Sequence, residues 1–205
     1  MTHMLELCDD TLINIMRYLP TLYIMNVVRH VCKRFYVVSQ DSRVWQTIVI
    51  RGWWNVCDIS VRDMFIFAKN TLTHLDLYNT AIHDQSGFDI TQALSDSRQL
   101  QYLDLSYTYV DSFIFGKHYT FEFLTKLIRL KTLILKGTDF KNEDLSYISK
   151  CQLLMKLDVS STMLTSLQYL PHMEHLQELH IDTNWTPSSE EANFLNRTPQ
   201  LEILT

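Results

Sequence analysis

Glycine and proline are scarce in this sequence, with four of each among 205 residues. Flexible linkers and low-complexity segments are rich in these two residues, so a long unstructured connection between domains is not expected. The low glycine count also argues against a glycine-rich phosphate-binding loop, and the sequence contains no GxSxG, HExxH or CxxC motif. The common sequence signatures of catalysis are therefore missing, and we expect a protein that is not an enzyme.

Cysteine and long apolar runs are also limited. The four cysteines, Cys8, Cys32, Cys57 and Cys151, form no disulfide-type framework. Free thiols in a reducing compartment, the cytoplasm or the nucleus, are the expectation, with Cys151 buried and unsuited to act as a nucleophile. Acidic residues interrupt the first ten positions, where a signal peptide would build its apolar core, and no run of about 18 apolar residues exists. We therefore expect neither a secretory signal nor a membrane span.

Positive charge is in short supply over most of the chain. Residues 1–50 carry five Lys or Arg against four Asp or Glu, whereas residues 51–205 carry thirteen against nineteen, a balance of −6. Nucleic-acid binding needs clustered positive charge, so it is not expected here. His172 and His175 have an H-x-x-H spacing but no further ligands at a fixed distance, so we expect no metal site and no cofactor.

What the sequence does have is a leucine pattern, which recurs from residue 72 to the last residue. Successive copies start at Leu72, Leu100, Leu130, Leu154, Leu176 and Leu201, which are 28, 30, 24, 22 and 25 residues apart. Each complete copy reads L-x-x-L-x-L-x-x-T or N, with Val or Ile in place of one leucine in two copies. This spacing is typical of leucine-rich repeats, whose period is about 20–29 residues.

The repeat pattern predicts a solenoid of stacked strand, turn and helix units. The L-x-L pair alternates as in a short strand with one buried face, and the Thr or Asn after it can hydrogen-bond to turn backbone. Thr in four of five copies, instead of Asn, predicts a less regular hydrogen-bond ladder between repeats. Helical spacing occupies residues 90–94, 121–127 and 145–148, with a capping box from Ser188 to Glu191 before a further helix. One repeat cannot bury its own apolar face, so we expect an α/β fold with a curved parallel sheet. An ordinary α/β domain with coincidental leucine spacing is the alternative.

Residues 5–47 lack the repeat and have a different apolar pattern. Leu12, Ile15, Met16 and Leu19 form one helical stripe that ends at Pro20, and residues 24–35 form a second, broader stripe. About forty residues are too few to bury a self-sufficient core. We therefore expect this module to pack on the solenoid, on a second protein, or on both.

The same residues resemble the F-box family. The family pattern is roughly L-P-x-E/D, then L-x-x-I-L/F-x-x-L, V-C/S-K/R-x-W/F and D-x-x-x-W. This chain matches it in order and spacing from Leu7 to Trp45, and residues 31–36 with the Trp45-Gln46-Thr47 ending are the most specific part. One departure is Cys8, which stands where the family usually has a proline that contributes to adaptor binding. Among F-box proteins, residues 31–47 look most similar to the members that target cyclin-dependent-kinase inhibitors.

An F-box followed by leucine-rich repeats resembles the substrate receptors of SCF (Skp–cullin–F-box) ubiquitin ligases. The resemblance implies an F-box at 1–47, a junction and capping segment at 48–71, and repeats at 72–205. It also implies a Skp-type adaptor as partner, and through it cullin and RING subunits, with a protein substrate on the repeats. The residues carried over as adaptor-facing or module-forming are Leu7, Cys8, Leu12, Ile15, Leu19, Val31, Cys32, Lys33, Phe35 and Trp45. The alternative is a scaffolding protein whose F-box-like helices only cap the solenoid.

Strand residues that alternate with the leucines predict the substrate-binding surface, on the concave face. The candidates are His74, Asp76, Tyr78, Tyr102, Asp104, Lys136, Lys156, Asp158 and His180. The tyrosines are typical of binding hot spots, and the two lysines suggest a phosphate site. For the aspartates the alternative is an ordinary solvent-facing strand position. Trp45, Trp53 and Trp54 are expected to pack the F-box onto the first repeat. The last repeat has no polar cap, so we expect either a short protein or a second subunit over that edge.

Overall fold

The N-terminal module is a group of short helices. The computed structural model describes residues 6–53, 56–68, 70–83, 89–111, 120–182 and 191–205. The module contains helices α1 (Asp9–Met16), α2 (Thr21–Asn26) and α3 (Lys33–Val38), with 3₁₀ turns at Val28–His30 and Ser42–Trp45. Asp9 and Asp10 lie in the first turn of α1, where negative charge interacts favourably with the helix dipole. The apolar stripes of α1, α2 and α3 face one another and continue into the core of the repeats.

The repeats build a seven-stranded parallel sheet, as the leucine pattern predicts. Its strands are β1 (Thr47–Val49), β3 (His74–Asp76), β5 (Tyr102–Asp104), β7 (Thr132–Ile134), β8 (Lys156–Asp158), β9 (Glu178–His180) and β10 (Ile203–Leu204), in that spatial order. The central leucines of β3, β5, β7, β8 and β9 pair in register from strand to strand, and all are fully buried. The mixed helix and parallel-sheet fold is therefore confirmed.

Strand β1 lies outside the predicted repeat region. Thr47 pairs with His74 and Ile48 with Leu75, so the sheet begins 25 residues before Leu72. Trp45, Ile48 and Ile50 fill the three leucine positions of this first repeat, and all three are buried. The segment that the sequence assigned to a junction, residues 48–71, thus supplies part of a sheet strand and helix α4 (Asp58–Ala68).

A second, three-stranded parallel sheet follows the turns of the first repeats. Its strands are β2 (Val56–Cys57), β4 (Ala81–His83) and β6 (Tyr109–Asp111). Ile82 pairs with both Val56 and Val110, at the apolar position that follows the Thr of the repeat. The leucine pattern, which ends at the Thr or Asn, did not predict these strands.

The opposite side of the solenoid carries helices, several of them tightly wound. Helix α5 (Ile90–Asp96) confirms the predicted helix at 90–94, and Asp89 caps it by accepting hydrogen bonds from Thr91 N and Gln92 N. The predicted helices at 121–127 and 145–148 are 3₁₀ helices, Phe121–Lys126 and Asn142–Lys150, and a third 3₁₀ helix spans Glu191–Arg197. Ser188 of the predicted capping box lies outside the described residues. Within the described ranges no helix has the length and apolarity needed to cross a membrane.

The threonines after the strands bind the turn backbone, but in two different ways. Thr80 and Thr108 donate to carbonyl oxygens of the preceding repeat at 2.8 and 2.7 Å. Thr138 and Thr162 donate to a carbonyl oxygen of their own repeat, each at 2.6 Å. The less regular ladder predicted from the Thr-for-Asn substitution is therefore confirmed, because only the first two of these four threonines bond to the preceding repeat.

Candidate functional site

Three of the ten predicted adaptor-binding residues are inside the N-terminal module. Leu12, Phe35 and Trp45 are buried, so they form its core and cannot contact a partner in this conformation. Of the two roles left open for these residues, facing the adaptor or forming the module, these three therefore have the second. Leu7, Ile15, Leu19 and Cys32 are half-buried, whereas Cys8, Val31 and Lys33 are exposed.

The exposed apolar surface of the module is centred on α3. Val31 and Val37 are 61% and 66% exposed, and the ring of Tyr36 is also accessible. A shallow depression between α3 and the 3₁₀ turn Val28–His30 is lined by Arg29, His30, Cys32, Lys33, Tyr36 and Val37. We refer to Val31, Cys32, Lys33, Tyr36 and Val37 as the α3 patch. Three of its five members come from the sequence prediction, which missed Tyr36 and Val37.

Cys8 keeps the backbone conformation of the residue that it replaces. Its φ of −68° is close to the value that a proline ring enforces, and its ψ of 161° is extended. Arg34 donates to Leu7 O and, at 2.7 Å, to Asp9 Oδ1, which fixes the chain on both sides of Cys8. The Thr11 hydroxyl lies 3.1 Å from Cys8 Sγ and lowers the pKa of that exposed thiol. The backbone at Cys8 therefore has a conformation that a proline could also adopt.

The F-box-like helices and the first repeat are joined by buried contacts. The Trp45 indole donates from Nε1 to Ser39 O at 2.6 Å, and its ring centroid lies 5.8 Å from that of Phe67 in α4. The Arg29 guanidinium lies 5.1 Å from the Phe67 ring and 4.0 Å from an oxygen of Asp63. Of the three tryptophans predicted at this junction, Trp45 is confirmed, Trp53 is about half exposed, and Trp54 lies outside the described residues.

Side chains of adjacent strands align across the concave face. The rings of His74 and Tyr102 stack with centroids 4.0 Å apart and planes 8° apart, and burial lowers the pKa of His74 and raises that of Tyr102. At the other end Lys156 Nζ donates to Glu178 Oε2 at 2.5 Å, and this contact lowers the pKa of Glu178. His180 Nε2 lies 3.5 Å from the same oxygen. Because Lys156 is already paired, the structure gives no support to the predicted lysine pair for a phosphate.

The aspartates that follow the central leucine of three strands hold turns together. Asp104 Oδ1 accepts hydrogen bonds from Ser106 N at 2.8 Å and Ser106 Oγ at 2.5 Å, and Asp158 repeats this arrangement with Ser160. Asp76 and Asp104 are only 1% and 5% exposed, and burial raises the pKa of Asp104. These two residues are therefore not the accessible recognition groups that alternation predicted.

An arginine that the sequence analysis missed covers the buried Asp76. Arg51 donates from Nε to Asp76 Oδ2 at 2.7 Å and also from Nη2, and this ion pair raises the pKa of Arg51. The Arg51 side chain is nevertheless 59% exposed. The signal that could have found it is the Trp45-x-x-Ile48-x-Ile50 segment, which has the spacing of the leucine pattern and places Arg51 at the position of Tyr78 one repeat later.

Two tyrosines form an accessible aromatic pair next to Arg51. The rings of Tyr78 and Tyr107 meet edge to face with centroids 5.9 Å apart, and each residue is 41% exposed. Tyr107 has a left-handed backbone (φ 53°) at the turn position where two other repeats have Gly52 and Gly137. Its ring lies where a Cβ on Gly137 would be, so the missing side chain of Gly137 makes room for it.

No cluster of three or more metal-ligating side chains is present among the described residues, and His172 and His175 are both exposed. Cys151 is fully buried, as predicted, and burial raises its pKa to about 12. The thiol is therefore protonated and inaccessible at neutral pH, which disfavours a role as a nucleophile.

Residues 5–51 match the F-box-like family. This match covers the helical module together with β1. No curated protein matches the chain. The similarity of residues 31–47 to particular F-box proteins therefore stays a prediction.

Solved structures similar to the chain are leucine-rich-repeat proteins. The internalin inlF from Listeria monocytogenes is 16% identical with a TM-score of 0.57, over 90% of this chain and 54% of that one. A leucine-rich-repeat protein from Leptospira interrogans is 16% identical with a TM-score of 0.53, over 85% and 39% of the two chains. Internalin C2 from Listeria monocytogenes is 15% identical with a TM-score of 0.53, over 94% and 88%. The chain thus spans about half or less of the first two structures, and at this identity the likeness concerns the fold alone.

Proposed function

We propose that this chain is a substrate-recognition subunit of an SCF-type ubiquitin ligase. The F-box-like module binds a Skp-type adaptor, and through it the cullin and RING subunits, while the concave face of the sheet binds a protein substrate. The observation that carries the proposal is the α3 patch, an exposed apolar surface on a module that matches the F-box-like family. Patches of this kind on folded proteins mark interaction sites. The adaptor's compartment would be the cytoplasm or the nucleus.

Such a receptor acts by proximity. It supplies no catalytic group but raises the effective concentration of a substrate lysine near the ubiquitin thioester. A flexible connection between the adaptor-binding and substrate-binding surfaces would spread the substrate over a large volume. The buried contacts of Arg29 and Trp45 with α4 support the proposal because they restrict that motion.

The alternative, a scaffold whose helices only cap the solenoid, is supported by one contact. The hydroxyl of Thr21 in α2 accepts a hydrogen bond from Val49 N at 3.0 Å, so the helices do cover an edge of strand β1. Capping uses α2 and the Trp45 region, whereas the α3 patch involves different side chains. Capping and adaptor binding are therefore compatible, and the patch favours the receptor over the scaffold.

The test is binding of a purified Skp-type adaptor to the full chain, with the patch altered by Val31→Asp together with Val37→Asp. Both side chains are largely exposed, so the change should leave the core intact, unlike substitution of the buried Leu12 or Phe35. Ile128→Asp is the matched control, since Ile128 is 58% exposed and lies on the solenoid far along the sequence from the F-box.

We expect the unmodified chain and the Ile128 variant to bind the adaptor alike in calorimetry. The double variant should bind at least about tenfold more weakly, because charges would be buried in an apolar interface. Circular dichroism of all three proteins should be the same. The proposal fails when the unmodified chain does not bind the adaptor, or when the double variant binds it as tightly.

A further inference from the structure

Arg51 and Tyr78 lie side by side at the end of the concave face nearest the F-box. Gly52 N donates to Tyr78 O at 2.9 Å, and Ile50 N donates to Asp76 O at 2.8 Å, so β1 and β3 hold the two residues in neighbouring positions. Both side chains are accessible, 59% for Arg51 and 41% for Tyr78. A cation and an aromatic ring are thus exposed at neighbouring positions.

The guanidinium of Arg51 is oriented before any partner arrives. Asp76 accepts from Tyr78 N at 3.1 Å through Oδ1 and from Arg51 through Oδ2, so the buried carboxylate anchors both neighbours. One oxygen of Asp76 binds two nitrogens of Arg51, whereas a guanidinium has five N–H donors. The guanidinium also interacts with the Tyr102 hydroxyl, but the Arg51 side chain is 59% exposed, so it can still pair with the carboxylate of a partner.

The aromatic pair is maintained despite an unfavourable backbone conformation. A left-handed φ of 53° is uncommon for a residue other than glycine or asparagine, and Tyr107 adopts it where Gly52 and Gly137 are used in other repeats. The T-shaped contact with Tyr78 and the space over Gly137 hold the Tyr107 ring in place.

Two cations, Arg51 and Lys136, lie near the pair, although the whole chain has a net charge of −5. Lys136 lies two residues after strand β7, and its carbonyl oxygen accepts from Tyr107 N at 2.8 Å. The acidic residues of the neighbouring strands, Asp76 and Asp104, are buried and bonded to turn backbone. Arg51 and Lys136 therefore flank the tyrosines with no exposed carboxylate between them on the described strands β3 and β5.

We propose that Arg51, Tyr78 and Tyr107 form an anchor site for an acidic segment of the substrate protein. An Asp or Glu of that segment binds the Arg51 fork, and an adjacent aliphatic or aromatic side chain packs on the two tyrosine rings. The inference rests on the proposed function and narrows the substrate class. A phosphate is disfavoured as the anion, because Lys156, the second lysine predicted on this face, is paired with Glu178.

The test is selection of a random decapeptide display library on the immobilised full chain, followed by fluorescence anisotropy with the most enriched peptide. Arg51→Gln removes the charge, and Tyr78→Ser removes an accessible ring that is not part of the core. Arg51→Lys keeps a cation for Asp76 in case the Gln variant does not fold. Lys156→Gln, at the other end of the face, is the matched control.

Enriched peptides should combine two or more Asp or Glu with a neighbouring aliphatic or aromatic residue. Arg51→Gln and Tyr78→Ser should each weaken their binding at least about tenfold, and Lys156→Gln less than about twofold. Neutral or basic consensus peptides, no enrichment, or equal losses in the control overturn the inference. The inference is also overturned when replacement of a Glu in the enriched peptide by phosphoserine strengthens binding more than about tenfold. A chain that binds the adaptor yet fails this selection loses the anchor site alone, not the proposed function.

Discussion

The aspartates that follow the central leucine of the strands differ in solvent exposure although their sequence positions are equivalent. Asp104 and Asp158 make the same two hydrogen bonds, to the backbone N–H and hydroxyl of the serine two residues later. Asp104 is buried between neighbouring repeats, whereas Asp158 is half-exposed. Sequence alternation predicts which face a strand residue occupies, but not whether neighbouring side chains cover it. For that reason the predicted concave face included two residues that no partner can reach.

The burial of Asp104 leads to a pH-dependent prediction. Desolvation raises the pKa of its carboxyl in the folded chain above that in the unfolded chain, where it is about 3.9. The folded state therefore binds more protons in the window between the two values, and stability falls as pH rises through that window. Asp104→Asn removes the cost of burying an ionised carboxylate and keeps an oxygen that can accept a hydrogen bond from Ser106. We expect the variant to have the higher melting temperature at pH 7, with the difference disappearing below the unfolded-state value.

Thermal unfolding followed by circular dichroism at neutral and acidic pH measures this effect. Asp158→Asn is the control, because solvent already reaches that carboxylate and its hydrogen bonds to Ser160 are the same. It should change the melting temperature little at either pH. A lower melting temperature for Asp104→Asn at pH 7 would contradict the argument.

At the scale of the elements, the turns after the strands share one backbone conformation from repeat to repeat, although their residue types differ. Five turn residues have φ between 52° and 69°, and each is the third residue after its strand: Gly52, Asn79, Tyr107, Gly137 and Ser161. The backbone conformation is thus imposed by stacking, and only two of the five residues are glycine. Where an L-residue occupies the position, neighbouring contacts must offset its local cost.

A comparison of Gly137→Ala with Gly52→Ala separates backbone strain from crowding. A Cβ at Gly52 meets no atom within 4 Å, so only the left-handed φ of 68° opposes alanine, at a cost of about 1 kcal/mol. A Cβ at Gly137 would lie 2.3 Å from two ring carbons of Tyr107, so the ring must leave its place over the turn. We expect a free energy of unfolding about 2 kcal/mol lower than that of the parent chain for Gly137→Ala.

Urea denaturation of both variants gives the two values, and Tyr107→Ala combined with Gly137→Ala isolates the crowding. With the ring removed, the added cost of Gly137→Ala should fall to that of Gly52→Ala, so the two substitutions are not additive. Equal losses for the two glycine variants in the parent background would mean that Tyr107 does not pack over Gly137 in solution.

The leucine pattern predicted five strands correctly because the physics of each is local. A buried residue at every second position and a turn residue after it are both visible in the sequence. Strand β1 was missed because Trp45, Ile48 and Ile50 fill the same space with different side chains. The 3₁₀ helices were not distinguished from α-helices, because the i, i+3 spacing of Leu145 and Ile148 fits either helix type. The Arg51–Asp76 pair joins residues 25 positions apart, which no local pattern reports.

At the scale of the whole molecule, the F-box-like helices and the repeats have one continuous apolar core. Arg29 lies inside it with little exposure, its guanidinium 5.2 Å from the Tyr36 ring and 5.1 Å from the Phe67 ring. The rings come from opposite sides of the junction, one from α3 and one from α4. A buried cation between two aromatic rings has directional contacts on each side, so it fixes the orientation of the helices relative to the sheet.

Arg29→Ala is therefore expected to weaken the junction as well as the fold. It removes two cation–π contacts, the 4.0 Å approach to Asp63, and the volume of a buried side chain, for a loss of about 2–4 kcal/mol in the free energy of unfolding. Arg62→Ala is the matched control, because Arg62 also approaches Asp63, at 3.6 Å, but is 42% exposed, and it should cost less than about 1 kcal/mol. Hydrogen exchange should rise in both α3 and α4 of the Arg29 variant, since each loses a packing partner. Faster exchange in α3 with no change in α4 would mean that Arg29 stabilises the helical module alone, and the rigid connection that a proximity mechanism needs would then have to come from Trp45 and Phe67.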